Sequence, residues 1–280
     1  MNITVVIPAY KVKSHIENVI KAMPAFVNNI IVVDDKCPQE TGSFIEELNS
    51  EKVTVIFHKH NQGVGGAVVT GYKKALELNS DIVVKVDGDG QMNPGNIIQL
   101  IQPIIDNLAD YTKGNRFGDL KALKQMPKVR LFGNSSLSFL VKVSSGYWDI
   151  MDPTNGFTAI SKDAILGLEL EKLSKRYFFE SDMLINLNIE NCVVKDVSFP
   201  AKYEDEVSSL SVTKVLFDFP SKLFKGFLKR IFYKYYIYDF NMASIYMLLG
   251  FPLFMFGFIF GSVSWYSSCL LYTSPSPRDS

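Results

Sequence analysis

Two carboxylates set two residues apart close an apolar run, Ile82-Val83-Val84-Lys85-Val86-Asp87-Gly88-Asp89-Gly90-Gln91. Oxygen donors of this kind suit a hard divalent cation, Mg²⁺ or Mn²⁺. The β-branched run reads as a buried parallel strand, which sets both acids at its carboxyl end, where open α/β sheets hold their ligands. With no partner base ahead of them, two crowded anions need a cation to stay charged, and a divalent metal carrying a diphosphate supplies it. The competing reading is a solvated turn, because Asp-Gly is common turn chemistry. An EF-hand is excluded, since its loop wants Gly sixth and Glu twelfth, where Met92 and Ile98 stand.

The elements that must position these acids follow from hydrophobic periodicity. Ile3 to Ile7 forms a first strand, followed by a helix with Ser14 as N-cap and Glu17 at the capping-box position. Ile30 to Val33 is a second strand ending in Asp34-Asp35, Thr41 to Leu48 a short helix, and Val53 to Phe57 a third strand. Asn61 to Gly66 leads into a helix to about Leu78, ahead of the strand that ends at Asp87. Gly63, Gly65 and Gly66 do not make a dinucleotide fingerprint, because Val68 holds its last glycine place; close helix–sheet packing is expected of them. Pro94 opens a helix to about Asn107, Tyr111 to Phe117 carries Gly114-Asn115-Arg116 as a strand end or loop, Pro127 to Val143 is helical, and Asp152 to Phe157 turns into a short strand. Tyr177 to Ile189 is a helix and Val193 to Phe199 a strand. Strands alternating with helices predict a mostly parallel α/β sheet with helices on its faces.

Composition narrows the function classes. The 280 residues are 47% apolar and 21% charged, with 29 basic and 29 acidic residues. A balance of zero argues against nucleic-acid binding by electrostatics. Cys37, Cys192 and Cys269 lie far apart without CxxC spacing, and the three histidines form no zinc pattern. His58 and His60 share a strand face and are expected to be ordinary strand-end residues. The first residues enter a strand directly, so no signal peptide is expected.

The character changes near Ser211. Between Val215 and Tyr238, Phe217, Phe224, Leu228 and Ile231 share related helical faces among Lys222, Lys225, Lys229, Arg230 and Lys234. Such a basic amphipathic helix is expected to lie in a membrane interface, the alternative being a surface helix packed on the core. From Met242 to Tyr266, about 25 residues carry no charge, enough to span a bilayer, with Trp265 and Tyr266 at the far end. Basic residues before the span predict a cytoplasmic N-terminal domain. The expected organisation is 1–210 catalytic, 211–240 juxtamembrane and 241–268 transmembrane. The closing 269–280 resembles a translated cloning or sequencing-adapter scar and is excluded from fold reasoning; the natural chain is expected to continue past about Ser268.

Taken in order, Val6-Ile7-Pro8-Ala9-Tyr10, Val32-Val33-Asp34-Asp35, Asn61-x-Gly63-x-Gly65, Asp87-Gly88-Asp89-Gly90-Gln91, Gly114-Asn115-Arg116, Asn155-Gly156-Phe157 and Glu180-Ser181-Asp182 resemble family 2 glycosyltransferases of GT-A fold. Within that family they are similar to membrane-anchored, dolichyl-phosphate mannose synthase-like and polyprenyl-phosphate sugar transferases. The resemblance implies inverting transfer of a sugar from a UDP- or GDP-sugar to an acceptor. It implies that Pro8, Ala9 and Tyr10 border the nucleotide base, and that Asp35, beside Asp34, accepts a hydrogen bond from it. Asp87 with Gly88 meets the ribose or metal, and Asp89, with Gln91, holds the metal. The chain departs from the family's pattern at Lys11-Val12, where Asn-Glu is frequent, and at Lys36-Cys37, where Gly-Ser is frequent.

Arg116 and Arg130 are the cationic candidates for phosphate, since a guanidinium fork matches its oxygens; the alternative is a surface salt bridge. Asp182, with Asp152 in reserve, is the general base if the acceptor is a hydroxyl. Glu180 and Asp182 equally suit charge complementation of a helix start. A polyprenyl phosphate is already an anion and needs cationic docking rather than a base, and the juxtamembrane basic residues suit either such an acceptor or plain anionic lipid. A membrane-tethered sugar-nucleotide scaffold without turnover and a transferase acting on a glycan hydroxyl are the alternatives. A nucleotidyltransferase is disfavoured, because Pro8-Ala9-Tyr10-Lys11 lacks a glycine-rich phosphate loop.

Overall fold

The computed structural model describes residues 1–116, 128–199 and 212–273, with side chains described except at 128–132, 134, 212–217 and 270–273. Two compact units result, Met1–Arg230 and Ile231–Ser280. In the first, seven strands form one sheet: β1 Ile3–Ala9, β2 Asn29–Asp34, β3 Val53–Phe57, β4 Ile82–Lys85, β5 Tyr111–Asn115, β6 Thr158–Ser161 and β7 Val194–Ser198. Their order is β3-β2-β1-β4-β6-β5-β7. β6 runs antiparallel to both of its neighbours, and every other pairing is parallel. The expected mostly parallel sheet is present. The reversal of β6 has a consequence for function: its leading turn, Asn155-Gly156-Phe157, arrives at the same rim as the carboxyl ends of β1, β2, β4 and β5.

Alternation along the central strands assigns side chains to two cores. Val6, Ile31, Val33 and Val83 pack under α3 (Val64–Glu77), and Val5, Ile7, Val32 and Val84 pack with α1 (Ile16–Lys21) and α4 (Ile97–Ile105). Lys85 follows Val83 by two residues and Asp87 follows Lys85 by two, so both belong to the α3 side. That side is completed by α6 (Lys162–Gly167) and α7 (Phe179–Ile189).

Two local expectations are corrected. α1 starts at Ile16 with no side-chain cap, and Glu17 instead pairs with Lys21 one turn on at 2.6 Å. The capping box fails because Ser14 lies before the helix's flanking residue. The glycines at the start of α3 serve a loop rather than the sheet: a Cβ on Gly65 would fall 2.3 Å from the Ser174 carbonyl, and one on Gly63 2.6 Å from that of Lys175. The glycine that meets the sheet is Gly71, where a Cβ would lie 2.2 Å from Val6 Cγ1.

Helix α8 (Val212–Phe232) follows α5 (Lys128–Ser145) and the strands in the chain, and it corrects the simple interfacial expectation. Phe219 and Leu223 are buried in the α3-side core, and a Cβ on Gly226 would meet Ile185 Cδ1 at 2.5 Å. Arg230 is buried and donates to the last carbonyls of α5, Ser144 (2.8 Å) and Val143 (3.1 Å). Lys229 donates to Asn186 Oδ1 on α7 at 2.7 Å. Those two cations serve the domain. Phe224 and Leu228 stand exposed with Lys222 and Lys225, so an amphipathic outer face remains. Phe217 lies outside the described side chains.

In the second unit, a π-helical turn, Tyr233–Tyr238, precedes α9 (Met242–Thr273). Asn241 caps α9, its Oδ1 accepting from the Ala243 amide at 2.9 Å. Among the described residues one helix is long and apolar enough to cross a membrane, Met242–Cys269. At 1.5 Å per residue its 28 residues reach roughly 42 Å, against a hydrocarbon core of about 30 Å. Residues 274–280 of the closing segment lie outside the described residues.

Because Val6 Cγ1 occupies the space a Cβ would need, Gly71→Ala is expected to cost about 2 kcal/mol by overpacking. Gly133→Ala, with nothing among the described residues within 4 Å, is expected to be neutral or mildly stabilising. Thermal unfolding midpoints of the two variants in detergent check the contrast.

Candidate active site

The register of three strands builds the centre of the site. Lys85 on β4 pairs with Thr158 on β6, which pairs with Lys113 on β5. Two lysines are therefore carried on the α3 side at the ends of strands flanking β6, and both are buried. The Lys85 ammonium lies 2.9 Å from Asp87 Oδ1 and 3.0 Å from Glu180 Oε1, and donates to the Gly156 carbonyl at 3.1 Å. Lys113 pairs with Glu180 Oε2 at 3.2 Å and donates to the Asn155 carbonyl. Asn155 returns a bond from its amide to the Gly114 carbonyl at 2.7 Å, locking the turn to β5.

Lys85 and Glu180 are held charged by their neighbours. Burial opposes the Lys85 charge, but Asp87 and Glu180 outweigh it and keep the ammonium above the usual lysine range. Burial likewise opposes the Glu180 charge, and Lys85 and Lys113 outweigh it and keep the carboxyl below its usual range. Tyr72 and Tyr111 sit beneath, their hydroxyls kept neutral by burial and by the Glu180 charge.

This overturns one premise drawn from the sequence. Asp87 does have a base partner, carried by its own strand two residues earlier. The signal was present: period-two alternation sets Lys85 and Asp87 on one face. Glu180 rather than Asp182 reaches them, because residues two apart on a helix do not share a face.

Asp182 turns elsewhere. Its Oδ2 accepts from the Ser174 amide at 2.8 Å and its Oδ1 from Asn186 Nδ2 at 3.2 Å, so it ties the preceding loop to α7. Asp152 is fully buried, and Arg116 embraces it with Nε at 2.8 Å and Nη2 at 3.3 Å. Asp152, the reserve base candidate, is thus paired with Arg116. Arg116 keeps its side chain 47% exposed at the end of β5. The side chain of Arg130 lies outside the described residues.

The two loops expected to meet the nucleotide are internally bonded. Asp34 accepts from the amides of Cys37 and Gly42, each at 2.7 Å, which fixes the turn into α2 (Thr41–Glu47). Asp35 accepts from His58 Nδ1 (2.8 Å), the Gln62 amide (2.7 Å) and the Gly63 amide (2.7 Å). Three donors leave its carboxylate room for about one more. His58 is therefore more than a strand-end residue: it bridges Asp35 to Thr70 Oγ1, 2.9 Å from its Nε2. Ala9 is buried inside β1, while Tyr10 is exposed, with the Lys11 ammonium 5.5 Å from its ring centre. Lys11 (φ 60°) and Lys36 (φ 57°) hold left-handed backbone, a conformation that suits glycine or asparagine better than lysine. The Lys11 amide donates to Cys37 Sγ at 3.0 Å, joining the loops after β1 and β2.

Beyond β4, Gly88 approaches Ile7 and Val12, and Gly90 (φ 83°) turns the chain so that the Gln91 amide donates to Asp89 Oδ1 at 3.1 Å. The Gln91 side chain is exposed. Among the described residues no three His, Cys, Asp or Glu groups converge as a metal cage. The donors present fit an ion that takes one or two carboxylates and completes its shell with phosphate and water oxygens. A Cβ at Gly156 would fall 2.5 Å from Asp87 Oδ2, so glycine keeps that oxygen uncovered.

Residues 4–167 match the family model for glycosyl transferase family 2. A UDP-N-acetylglucosamine–dolichyl-phosphate N-acetylglucosaminyltransferase of Methanococcus voltae is 37% identical over 215 residues, covering 70% of this chain and 85% of that protein. An undecaprenyl-phosphate mannosyltransferase of Micrococcus luteus is 26% identical over 195 residues, covering 65% and 76%. Glucosyl-3-phosphoglycerate synthase from Mycobacterium tuberculosis, solved with Mn²⁺, UDP and phosphoglyceric acid, superposes with a TM-score of 0.60 at 18% identity over 82% of this chain and 78% of that one, which is a likeness of fold. The chain belongs to glycosyl transferase family 2, with the GT-A fold. It is a glycosyltransferase.

One further acid has a raised titration point. Burial, reinforced by the neighbouring Asp152 charge, pushes Asp196 up to about 6, although the Met151 amide donates to it at 2.6 Å. The folded protein therefore holds this proton more tightly than the unfolded chain does, and stability falls as pH rises from about 4 to about 6, then levels. Asp196→Asn is expected to stabilise by about 1–2 kcal/mol at pH 7 and to change little at pH 4. Urea unfolding at the two pH values measures the difference.

Proposed function

We propose that this glycosyltransferase moves a sugar, with inversion at the anomeric carbon, from a UDP- or GDP-sugar to a polyprenyl phosphate at a membrane surface. The observation that carries this is the state of the two base candidates: Asp182 is engaged by Ser174 and Asn186, and Asp152 by Arg116. A hydroxyl acceptor needs deprotonation, whereas a phosphate monoester already presents an anionic oxygen. The relatives named for dolichyl phosphate and undecaprenyl phosphate support the same acceptor class, and the name of the first supports UDP in the donor. An acceptor phosphate oxygen attacks the anomeric carbon as the bond to the diphosphate breaks, and the nucleoside diphosphate departs with the electron pair.

Asp89 and the uncovered oxygen of Asp87 would hold Mg²⁺ or Mn²⁺, which when bound supplies charge stabilisation for the leaving diphosphate. Lys85 and Glu180 fix the angle at which Asp87 is presented. Tyr10 at the end of β1 offers an exposed ring to the base, and Asp35 holds the Asn61–Gly63 loop beneath it. Arg116, with its side chain 47% exposed at the end of β5, is the candidate to meet an acceptor phosphate. Helix α9 anchors the chain, and Lys222 and Lys225 with Phe224 and Leu228 form the face of α8 suited to anionic lipid. Basic residues ahead of the span favour a cytoplasmic catalytic unit.

Transfer to a purified short-chain polyprenyl phosphate tests the assignment. Asp182→Asn is expected to keep activity within about fivefold, since the amide oxygen can replace the carboxylate Oδ2 that accepts from Ser174. Asp89→Asn is expected to lose about a hundredfold or more in kcat/KM. Near-complete loss in a folded Asp182→Asn would instead point to a hydroxyl acceptor.

A further inference from the structure

We infer that the donor nucleotide is a uridine diphosphate and that His58 sets this choice, by occupying the oxygen of Asp35 that a guanine base would need. This rests on the nucleotide-sugar reading above and narrows its base. In the sheet β1 lies between β2 and β4, so strands are added to one side of β1 and then to the other. Open α/β sheets bind ligands at the carboxyl ends of the strands beside such a switch point. β2 delivers Asp35 to that rim, where its amide donates to the Ala9 carbonyl at 3.1 Å. The next residue after Ala9 is Tyr10, whose ring is exposed. A base laid on Tyr10 thus has the Asp35 carboxylate at the adjoining strand end.

A carboxylate offers about four acceptor places, two on each oxygen. Among the described residues three donors reach Asp35. Oδ1 holds two of them, His58 Nδ1 at 2.8 Å and the Gln62 amide at 2.7 Å, and Oδ2 holds one, the Gly63 amide at 2.7 Å. Oδ1 is therefore full, and Oδ2 has one place left. The arrangement has little freedom. The Asp35 side chain is 4% exposed, and two of its donors are consecutive backbone amides of one turn. The His58 ring is held at its other nitrogen by Thr70 Oγ1, which donates onward to the Gly66 carbonyl at 3.1 Å. The pairing edge of uracil carries one donor, N3–H, between two carbonyls. Guanine carries two donors side by side, N1–H and its amino group, which a carboxylate meets with one free place on each oxygen. Asp35 can serve the first edge but not the second, and a donor left unpaired beside a filled, buried carboxylate weakens binding. Cytosine turns a lone pair of N3 toward the carboxylate and is disfavoured too. Of the three donors His58 is the one supplied by a side chain, so it is the one that a substitution removes.

Isothermal titration calorimetry on the full chain in detergent with Mn²⁺, using UDP, GDP, CDP and N3-methyl-UDP, tests this. Wild type is expected to bind UDP about tenfold or more tightly than each of the other three. His58→Phe keeps a ring but no donor, and is expected to narrow the UDP-to-GDP ratio by about threefold or more. His58→Asn, which keeps an N–H near Nδ1, is expected to restore the ratio. A merely structural histidine would weaken UDP and GDP in parallel and leave their ratio unmoved. If His58→Phe does not fold, the comparison of UDP with N3-methyl-UDP and GDP on wild type still decides the base. GDP or N3-methyl-UDP bound as tightly as UDP would overturn the choice of uridine, and an unchanged ratio in folded His58→Phe would overturn the role of His58. Binding of none of the four would instead remove the nucleotide-sugar reading, and this inference with it.

Discussion

The site depends on one buried contact, the Lys85 ammonium between Asp87 and Glu180. It joins three parts of the chain distant in sequence: the end of β4, the turn before the reversed strand β6, and the first turn of α7. Ions are costly to bury unless fully paired and hydrogen-bonded. Here each lysine donates to a backbone carbonyl and pairs with Glu180, which has a lysine beside each oxygen. A set so enclosed has few alternative arrangements, which is a physical reason for a rigid rim. Gly156 fits the same constraint, because a side chain there would collide with both members of the Lys85–Asp87 pair.

Much of the fold was legible in the sequence, since buried parallel strands announce themselves as apolar runs. Every expected strand of the catalytic unit is present, within a residue or two at its ends. The acids at the strand ends were also legible. What was missed required knowing which strands are neighbours. Glu180 looked like a helix-start charge and Lys113 was not singled out, because β6 had not yet been placed antiparallel between β4 and β5. Lys85 was an avoidable omission, as alternation alone sets it beside Asp87. Asp182 and Asp152 matched a base by residue type, and the sequence did not disclose that both carboxylates are hydrogen-bonded within the fold.

The basic helix α8 illustrates a second limit. Periodicity identifies an amphipathic helix but not the surface that covers its apolar side. Phe219, Leu223 and Arg230 follow one another at spacings that share a helix face, and that face belongs to the catalytic unit. Phe224 and Leu228 lie on another face and are exposed. One helix thus serves two surfaces, and lysine count alone overstated the charge available to a lipid headgroup.

The central claim is that the uncovered oxygen of Asp87, with Asp89, holds a cation on the diphosphate while Lys85 retains the other oxygen. Anomalous diffraction from crystals grown with Mn²⁺ and UDP tests it most directly. The account predicts a manganese peak within coordination distance of Asp89 and Asp87 Oδ2, with Lys85 still against Oδ1. A peak remote from both acids, or one bound by both oxygens of Asp87 with Lys85 displaced, would contradict it.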